Sequence, residues 1–308
     1  MSSTSKLTDR IEKIATHSNT VSDSVDDDTE FSDDVLDEDY DYDHDQEEEE
    51  IVEIDEEEMM HMLDEQSPPL LLCRRLFHTN PAEANELQVL TKDEAQQLYE
   101  RGFVMLETGR LATNEQVWNG RCAALELDGS GGMTDAAHFR EGEGDDPYRD
   151  RTARTDRIAW LHHDKPPGNH PAFSSLLSRM DALRSDISSL LHLSPPTNPN
   201  ATEIQLALYS GQQQGGYTKH RDAFPVDDIN DVEQRRVTAI LYLNDFALNS
   251  EVSGGCLRIT TPSLDGGGGE YVDVAPVGGR VVVFMSGAVD HEVLNSKVTR
   301  VALTCWWK

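Results

Sequence analysis

Hydrophobic spacing divides the chain into a helical first part and a strand-rich second part. In "LTKDEAQQLYERGFVMLE", Thr91 and Glu94 stand three residues apart ahead of an apolar-periodic run. That is the signature of a capping box, and it predicts a short helix followed by an apolar strand from Phe103 to Leu106. Thr113 and Gln116 repeat the device in "ATNEQVWNGRCAALEL". There Val117, Trp118, Arg121, Cys122 and Leu125 recur at helical spacing and predict one common face. The stretch from Gly129 to Arg157 has no periodicity and is rich in Gly, Asp and Arg, so it reads as a long loop of the lid or binding kind. A strand, "RIAWL", comes next. Phe173, Leu176, Leu177, Met180, Leu183, Ile187, Leu190 and Leu191 then trace a long amphipathic helix, stopped by "SPPTNPN".

From Thr202 the pattern changes to strands. "EIQLALYS", "GYTKHRD", "RVTAILYLND", "GGCLRIT", "EYVDVAP", "GRVVVFMS" and "RVALTCWW" are short, β-branched and aromatic, and are separated by Gly, Pro, Asp and Asn. Helices first and then about seven strands predict an α+β fold. The strands form a double-sheet jelly roll, a double-stranded β-helix, with the helices packed on one sheet.

Charge adds a second region. Of the chain's 58 acidic residues, 24 fall between Asp23 and Glu65, where there is no Lys or Arg; the remainder carries 34 acidic against 26 basic residues, a net of −8. A block of like charge this long repels itself and buries too little apolar area to offset the entropy of ordering. Residues 1–84 are therefore expected to be a disordered acidic region and residues 85–308 one folded domain. "EEEEIVEIDEEEMMHMLDE" mixes apolar residues into the acid, and a basic partner is the docking alternative to a purely solubilising tail. No apolar run approaches the length of a membrane span, and the N-terminus lacks the apolar segment of a secretory signal. Cys73, Cys122, Cys256 and Cys305 are widely spaced, without CxxC pairs, and read as free thiols. Together these features point to the cytoplasm or nucleus. The acidic balance opposes a nucleic-acid partner.

Candidate chemistry begins with His-x-Asp, in which alternate residues of a strand point the same way. It occurs twice, as His162/Asp164 in "LHHDKPP" and as His220/Asp222 in "YTKHRD". Spacing alone does not choose between them. The second is distinguished by the order of the residues downstream of it: Tyr242 in "AILYLND", His291 in "SGAVDHEVL" and Arg300 opening "RVALTCWW". Two histidines and a carboxylate suit iron(II) on one face of its octahedron, with three positions left open. An Arg fork suits the distal carboxylate of a ketoacid bound there.

"YSGQQQGGYTKHRD", "RRVTAILYLND", "SGGCLRI", "GGRVVVFMSGAVDHEVL" and "RVALTCWW" resemble the prolyl 4-hydroxylase superfamily of Fe(II)/2-oxoglutarate dioxygenases. Within it, they are most similar to the oxygen-sensing hypoxia-inducible-factor prolyl hydroxylases, and "RTDRIAWLHHDKP" is similar to that family's strand before the long helix. The resemblance covers roughly residues 85–308. It implies His220, Asp222 and His291 as the iron ligands and Arg300 as the clamp on 2-oxoglutarate. Tyr242, Thr304 and Tyr209 line the cosubstrate pocket in that reading, and His162 and Asp164 have no metal role. It implies Fe(2+), 2-oxoglutarate, O2 and L-ascorbate, and a proline-containing peptide or protein as substrate, oxidised with release of succinate and CO2. The Gly129–Arg157 loop would close over that substrate, with Arg149, Arg151, Arg154 and Arg157 gripping an acidic peptide. The alternatives are a hydroxylase of another residue or of free proline, and a non-catalytic binding module with an acidic docking tail.

Overall fold

The computed structural model describes residues 68–78, 80–81, 87–136, 153–191, 202–225, 231–262 and 269–308. Expectations for the acidic tail, Arg149 and Arg151 lie outside them. Eleven strands and five α-helices occur among the described residues. Strands β1 (Phe103–Leu106), β2 (Thr134–Asp135), β3 (Arg157–Trp160), β4 (Glu203–Tyr209), β6 (Val237–Tyr242), β9 (Val281–Met285) and β11 (Arg300–Trp307) form a seven-stranded sheet in the order β1-β9-β6-β11-β4-β3-β2. Strands β5 (Tyr217–His220), β7 (Leu257–Thr260), β8 (Tyr271–Val274) and β10 (His291–Val293) form a four-stranded sheet in the order β5-β10-β7-β8. The ladders within both sheets are antiparallel. This is the expected double-stranded β-helix. The helices are α1 (Pro69–Arg74), α2 (Lys92–Arg101), α3 (Asn114–Gly129), α4 (Pro171–Leu190) and the single turn α5 (Ser250–Ser253).

Strands β6, β9 and β11 are buried at every position because they are covered on both faces. That explains why they read as near-continuous apolar runs rather than alternations. Both capping boxes form: Thr91 with Glu94 opens α2, and Thr113 with Gln116 opens α3. Helix α4 buries Phe173, Leu176, Leu177, Met180, Leu183, Ile187 and Leu190, the stripe read from the sequence.

The face of α3 differs from expectation. Val117, Gly120, Ala123 and Ala124 are buried, whereas Trp118, Cys122 and Leu125 are exposed. Gly120 is the reason. A Cβ there would sit 2.5 Å from Leu176 Cδ1 of α4, so small residues let the two helices approach closely and the bulky ones are turned outward. Helix α1 also precedes the expected boundary at residue 85. Leu70, Cys73, Leu76 and Phe77 are in the core, Phe77 packs edge-on against Tyr99 at 5.7 Å, and the His78 amide bonds to the Leu190 carbonyl. Asp186 of α4, buried, receives the amides of Gln88, Val89 and Leu90 at 2.8, 2.7 and 2.9 Å, which fixes the approach to α2.

Candidate active site

The backbone register puts His220 of β5 directly opposite His291 of β10. Their rings lie 4.3 Å apart. Asp222 is just past the end of β5. Its Oδ1 is 3.8 Å from His220 Nε2 and 3.9 Å from His291 Nε2. These separations are too long for hydrogen bonds, yet one ligand atom from each residue lies within 4.8 Å of the others. Each imidazole is oriented from behind: His220 Nδ1 contacts the Thr218 carbonyl at 2.8 Å and His291 Nδ1 contacts the Val289 carbonyl at 3.2 Å. An Nδ1–H donated to a carbonyl leaves Nε2 with its lone pair turned toward the common point. Thr238 Oγ1 donates to Asp222 Oδ2 at 2.7 Å and is itself 2.8 Å from Ser286 Oγ, so Oδ1 is the oxygen left facing the histidines.

Electrostatics favour a cation at this point. Burial and the neighbouring His291 push the pKa of His220 well below the usual imidazole value, which keeps the ring neutral. Burial alone would raise Asp222, but His291, His220 and the side chains of Trp306 and Thr238 outweigh it and hold the carboxyl below its usual range. A neutral imidazole beside an ionised carboxylate is a donor set for a divalent first-row metal. Among the described residues this is the one group of His, Cys, Asp and Glu side chains with such convergence.

The three residues line a cavity of about 560 Å³ that also reaches Tyr209, Arg300 and Thr304. Arg300, opposite Tyr209 in the β11–β4 register, is 2 % exposed. Its Nε donates to the Gly255 carbonyl at 3.0 Å, and its guanidinium carbon lies 4.8 Å from the Tyr209 ring centroid and 5.1 Å from that of Tyr242. The Tyr242 hydroxyl is buried beside the Arg300 guanidinium and makes no well-formed hydrogen bond. A buried cation lining a cavity, with a hydroxyl packed beside it, fits a carboxylate, which accepts from such donors. Outside the barrel, Arg121 of α3 donates to the Leu243 carbonyl and to Asn244 Oδ1 at 2.9 and 3.2 Å. Asn244 Oδ1 also accepts the Val301 amide at 2.8 Å, so the residues after Tyr242 and Arg300 are tied together.

All seven residues singled out from the sequence thus come together: His220, Asp222, His291, Arg300, Tyr209 and Thr304 line the cavity, and Tyr242 packs against Arg300. His162 and Asp164 do not join them; both are exposed in the turn after β3, where His162 bridges to Lys165. Of the four loop arginines expected to grip a peptide, Arg154 and Arg157 fall within the described residues, and both have partners within the chain. Arg154 pairs with the buried Asp156 at 2.7 Å and lies over the Tyr217 ring at 4.4 Å. Arg157 pairs with Asp128 and donates to the Met133 carbonyl. Sequence reasoning missed Tyr217, stacked on His220 at 3.7 Å, and the Asp222 anchor Thr238. Thr238 was accessible, because counting back by two from Tyr242 along β6 passes through Ile240 to Thr238. It also missed the mouth, where Trp160 and Trp306 lie 6.0 Å apart and Arg235 covers Trp306 at 4.3 Å.

Residues 204–308 match the family model described as the 2OG-Fe(II) oxygenase superfamily. A Pseudomonas putida prolyl-4-hydroxylase is 29% identical over 70% of this chain and 97% of its own, with a TM-score of 0.54. A Trichoplax adhaerens prolyl hydroxylase, solved with a hypoxia-inducible-factor oxygen degradation domain peptide fragment, is 25% identical over 68% of this chain and 85% of its own, with a TM-score of 0.54. Residues 204–308, which carry the His-Asp-His cluster, are thus similar to the 2OG-Fe(II) oxygenase superfamily in sequence, and the fold around them is similar to that of the two prolyl hydroxylases.

Proposed function

We propose that the protein is an Fe(II)- and 2-oxoglutarate-dependent dioxygenase that hydroxylates prolyl residues of a peptide or protein, and that residues 85–308 carry this activity together with the packed helix α1. The observation that carries the reading is the convergence of His220, Asp222 and His291 with Arg300 in one cavity. His220 and His291 would offer Nε2 and Asp222 would offer Oδ1 to the metal. Arg300 and Tyr242 would hold the distal carboxylate of 2-oxoglutarate, with Tyr209 and Thr304 forming the walls around its chain. When bound, iron and cosubstrate supply the oxidising power, coupling decarboxylation of 2-oxoglutarate to succinate and CO2 with transfer of an oxygen atom from O2 to a C–H bond.

The protein's own part is geometric and electrostatic. Burial keeps His220 neutral and able to ligate. The Thr218 and Val289 carbonyls fix the rings, and Thr238 fixes the carboxylate. The tight apolar walls of β6 and β11 limit water around the reacting bond. A peptide substrate is supported by the Trichoplax enzyme, whose structure holds one. The mouth suits a neutral, ring-bearing residue, because Trp160, Trp306 and Tyr217 present flat apolar surface while Arg154 and Arg235 are already paired with Asp156 and Glu203. Ascorbate as the reductant that restores iron(II), a basic partner for the acidic segment, and a cytoplasmic or nuclear location complete the proposal.

The test is succinate formation from 2-oxoglutarate by the full chain with iron(II), with and without proline-containing peptides, followed by mass analysis of the peptide. Peptide-stimulated succinate with a gain of one oxygen on proline supports the reading. Succinate without any oxidised proline, across a peptide library, would overturn the prolyl assignment and leave the dioxygenase.

A further inference from the structure

The five residues "TKHRD" do separate work on their two faces. His220 and Asp222 point into the cavity, and Lys219 and Arg221, by strand alternation, point away from it. Backbone pairing between β5 and β10 ends at the His220–His291 pair. One step further in an antiparallel register, Arg221 stands opposite Asp290, the residue before His291. Their side chains meet: Arg221 Nε is 2.7 Å from Asp290 Oδ1, and Nη2 is 3.3 Å from Oδ2. Lys219 Nζ reaches the same carboxylate at 3.3 Å from the solvent side. The Asp290 carbonyl is meanwhile engaged with the Thr260 amide of β7 at 2.9 Å.

We propose that Arg221 and Asp290 form an ionic clasp that holds the two metal-bearing segments at coordinating distance, which makes Arg221 a positioning residue for the site. The inference rests on the reading of His220, Asp222 and His291 as metal ligands. Its logic is one of register. His220 and His291 are fixed by a backbone ladder, but Asp222 lies beyond that ladder, in a bend, where Thr238 donates to its carboxylate. The clasp replaces the missing rung between the segments at the position between the two ligands of "HRD". It is not an ordinary surface pair. The Arg221 side chain is 7 % exposed and that of Asp290 22 %, against 55 % for Lys219. Pairs of the exposed kind contribute little, whereas an Arg–carboxylate ion pair shielded from water, with one guanidinium hydrogen bond, holds its two segments together.

The experiment measures Co(II) affinity by titration and by the visible absorption of the bound ion, for the full chain and for Arg221→Gln, Asp290→Asn and the double variant. Outer partners of metal sites typically change affinity by roughly 10- to 100-fold. Each single variant is expected to bind Co(II) about tenfold more weakly with an altered absorption band. The double variant should be no worse than the weaker single, because the two side chains act as one unit. Glu107→Gln, which breaks the distant Arg280 pair, is the control and should bind as wild type. Near-wild-type Co(II) binding by both single variants would overturn the clasp, as would fully additive losses in the double. Should a neutral variant fail to fold, Arg221→Lys keeps the charge without the fork, and wild-type affinity there overturns the clasp equally. Wild-type protein that bound no Co(II) would instead defeat the ligand assignment beneath it.

Discussion

Replacing Tyr242 by Phe tests the cosubstrate clamp through two effects of opposite sign. The Tyr242 ring is fully buried against Arg300, and its hydroxyl is buried without a well-formed hydrogen bond. Burial raises its pKa, with Arg300 opposing, so it is a neutral donor at any physiological pH. A buried hydroxyl with no partner costs about 1–3 kcal/mol, while a hydrogen bond to a charged acceptor contributes about 1.5–3 kcal/mol. Removing the oxygen should therefore leave the metal-loaded, cosubstrate-free protein as stable as wild type or more stable by up to about 1 kcal/mol. The same change should weaken 2-oxoglutarate by about 1.5 kcal/mol, close to tenfold in Kd. The assay pairs thermal melting of the Mn(II)-loaded protein with calorimetric titration of 2-oxoglutarate. A lower melting temperature with an unchanged Kd would show that the hydroxyl supports the core instead of the ligand, and the clamp reading would fall.

Arg300→Lys should retain Mn(II) but weaken 2-oxoglutarate at least tenfold, because Lys keeps the charge and loses the planar fork; equal loss of metal and cosubstrate in parallel titrations would make Arg300 structural. His162→Ala and Asp164→Ala should keep iron content and succinate release, whereas His220→Ala, Asp222→Ala and His291→Ala should each lose both; iron loss in the first pair alone would reverse the ligand assignment. The pKa of His220 is depressed in the folded protein, so below about 6.5 the unfolded chain binds a proton that the metal-free native state refuses. Stability from this group is complete above that pH and declines as the pH falls, and urea midpoints between pH 7.5 and 5 should drop more steeply in wild type than in His220→Gln. Truncation before residue 68 should leave the melting temperature unchanged, whereas truncation to residue 83 strips Leu70, Leu76 and Phe77 from the core and should lower it by several degrees; equal melting of the two would refute a packed α1.

The strand half was legible because its chemistry repeats every two residues. Arg300 and Thr304 share a face of β11 in any register, and Tyr242 shares one of β6 with Thr238. Strand β10 escaped notice: at three residues it is too short to show a period, although it carries His291. The face of α3 was misjudged for a different reason. Hydrophobic spacing weighs Trp118 and Leu125 heavily and Gly120 and Ala124 lightly, but close approach to α4 is decided by size, so the small residues turn inward. The role of Asp186 was invisible because its partners are set by tertiary structure; the amides it receives lie nearly a hundred residues away.

The division of labour between the two sheets bears on how the ligands would influence each other. Both histidines belong to the four-stranded sheet, whereas Arg300, Tyr209 and Tyr242 belong to the seven-stranded one. On the proposed reading, a metal held by the first and a ketoacid held by the second would together act as a bolt through both sheets. Each ligand would then restrict the relative motion that the other must also restrict, so the second to arrive would meet a smaller entropic cost. By linkage the benefit is mutual: metal tightens cosubstrate by the same factor by which cosubstrate tightens metal. Slow escape of iron from an enzyme saturated with 2-oxoglutarate would be a property of the barrel as a whole, beyond the three side chains that touch the ion.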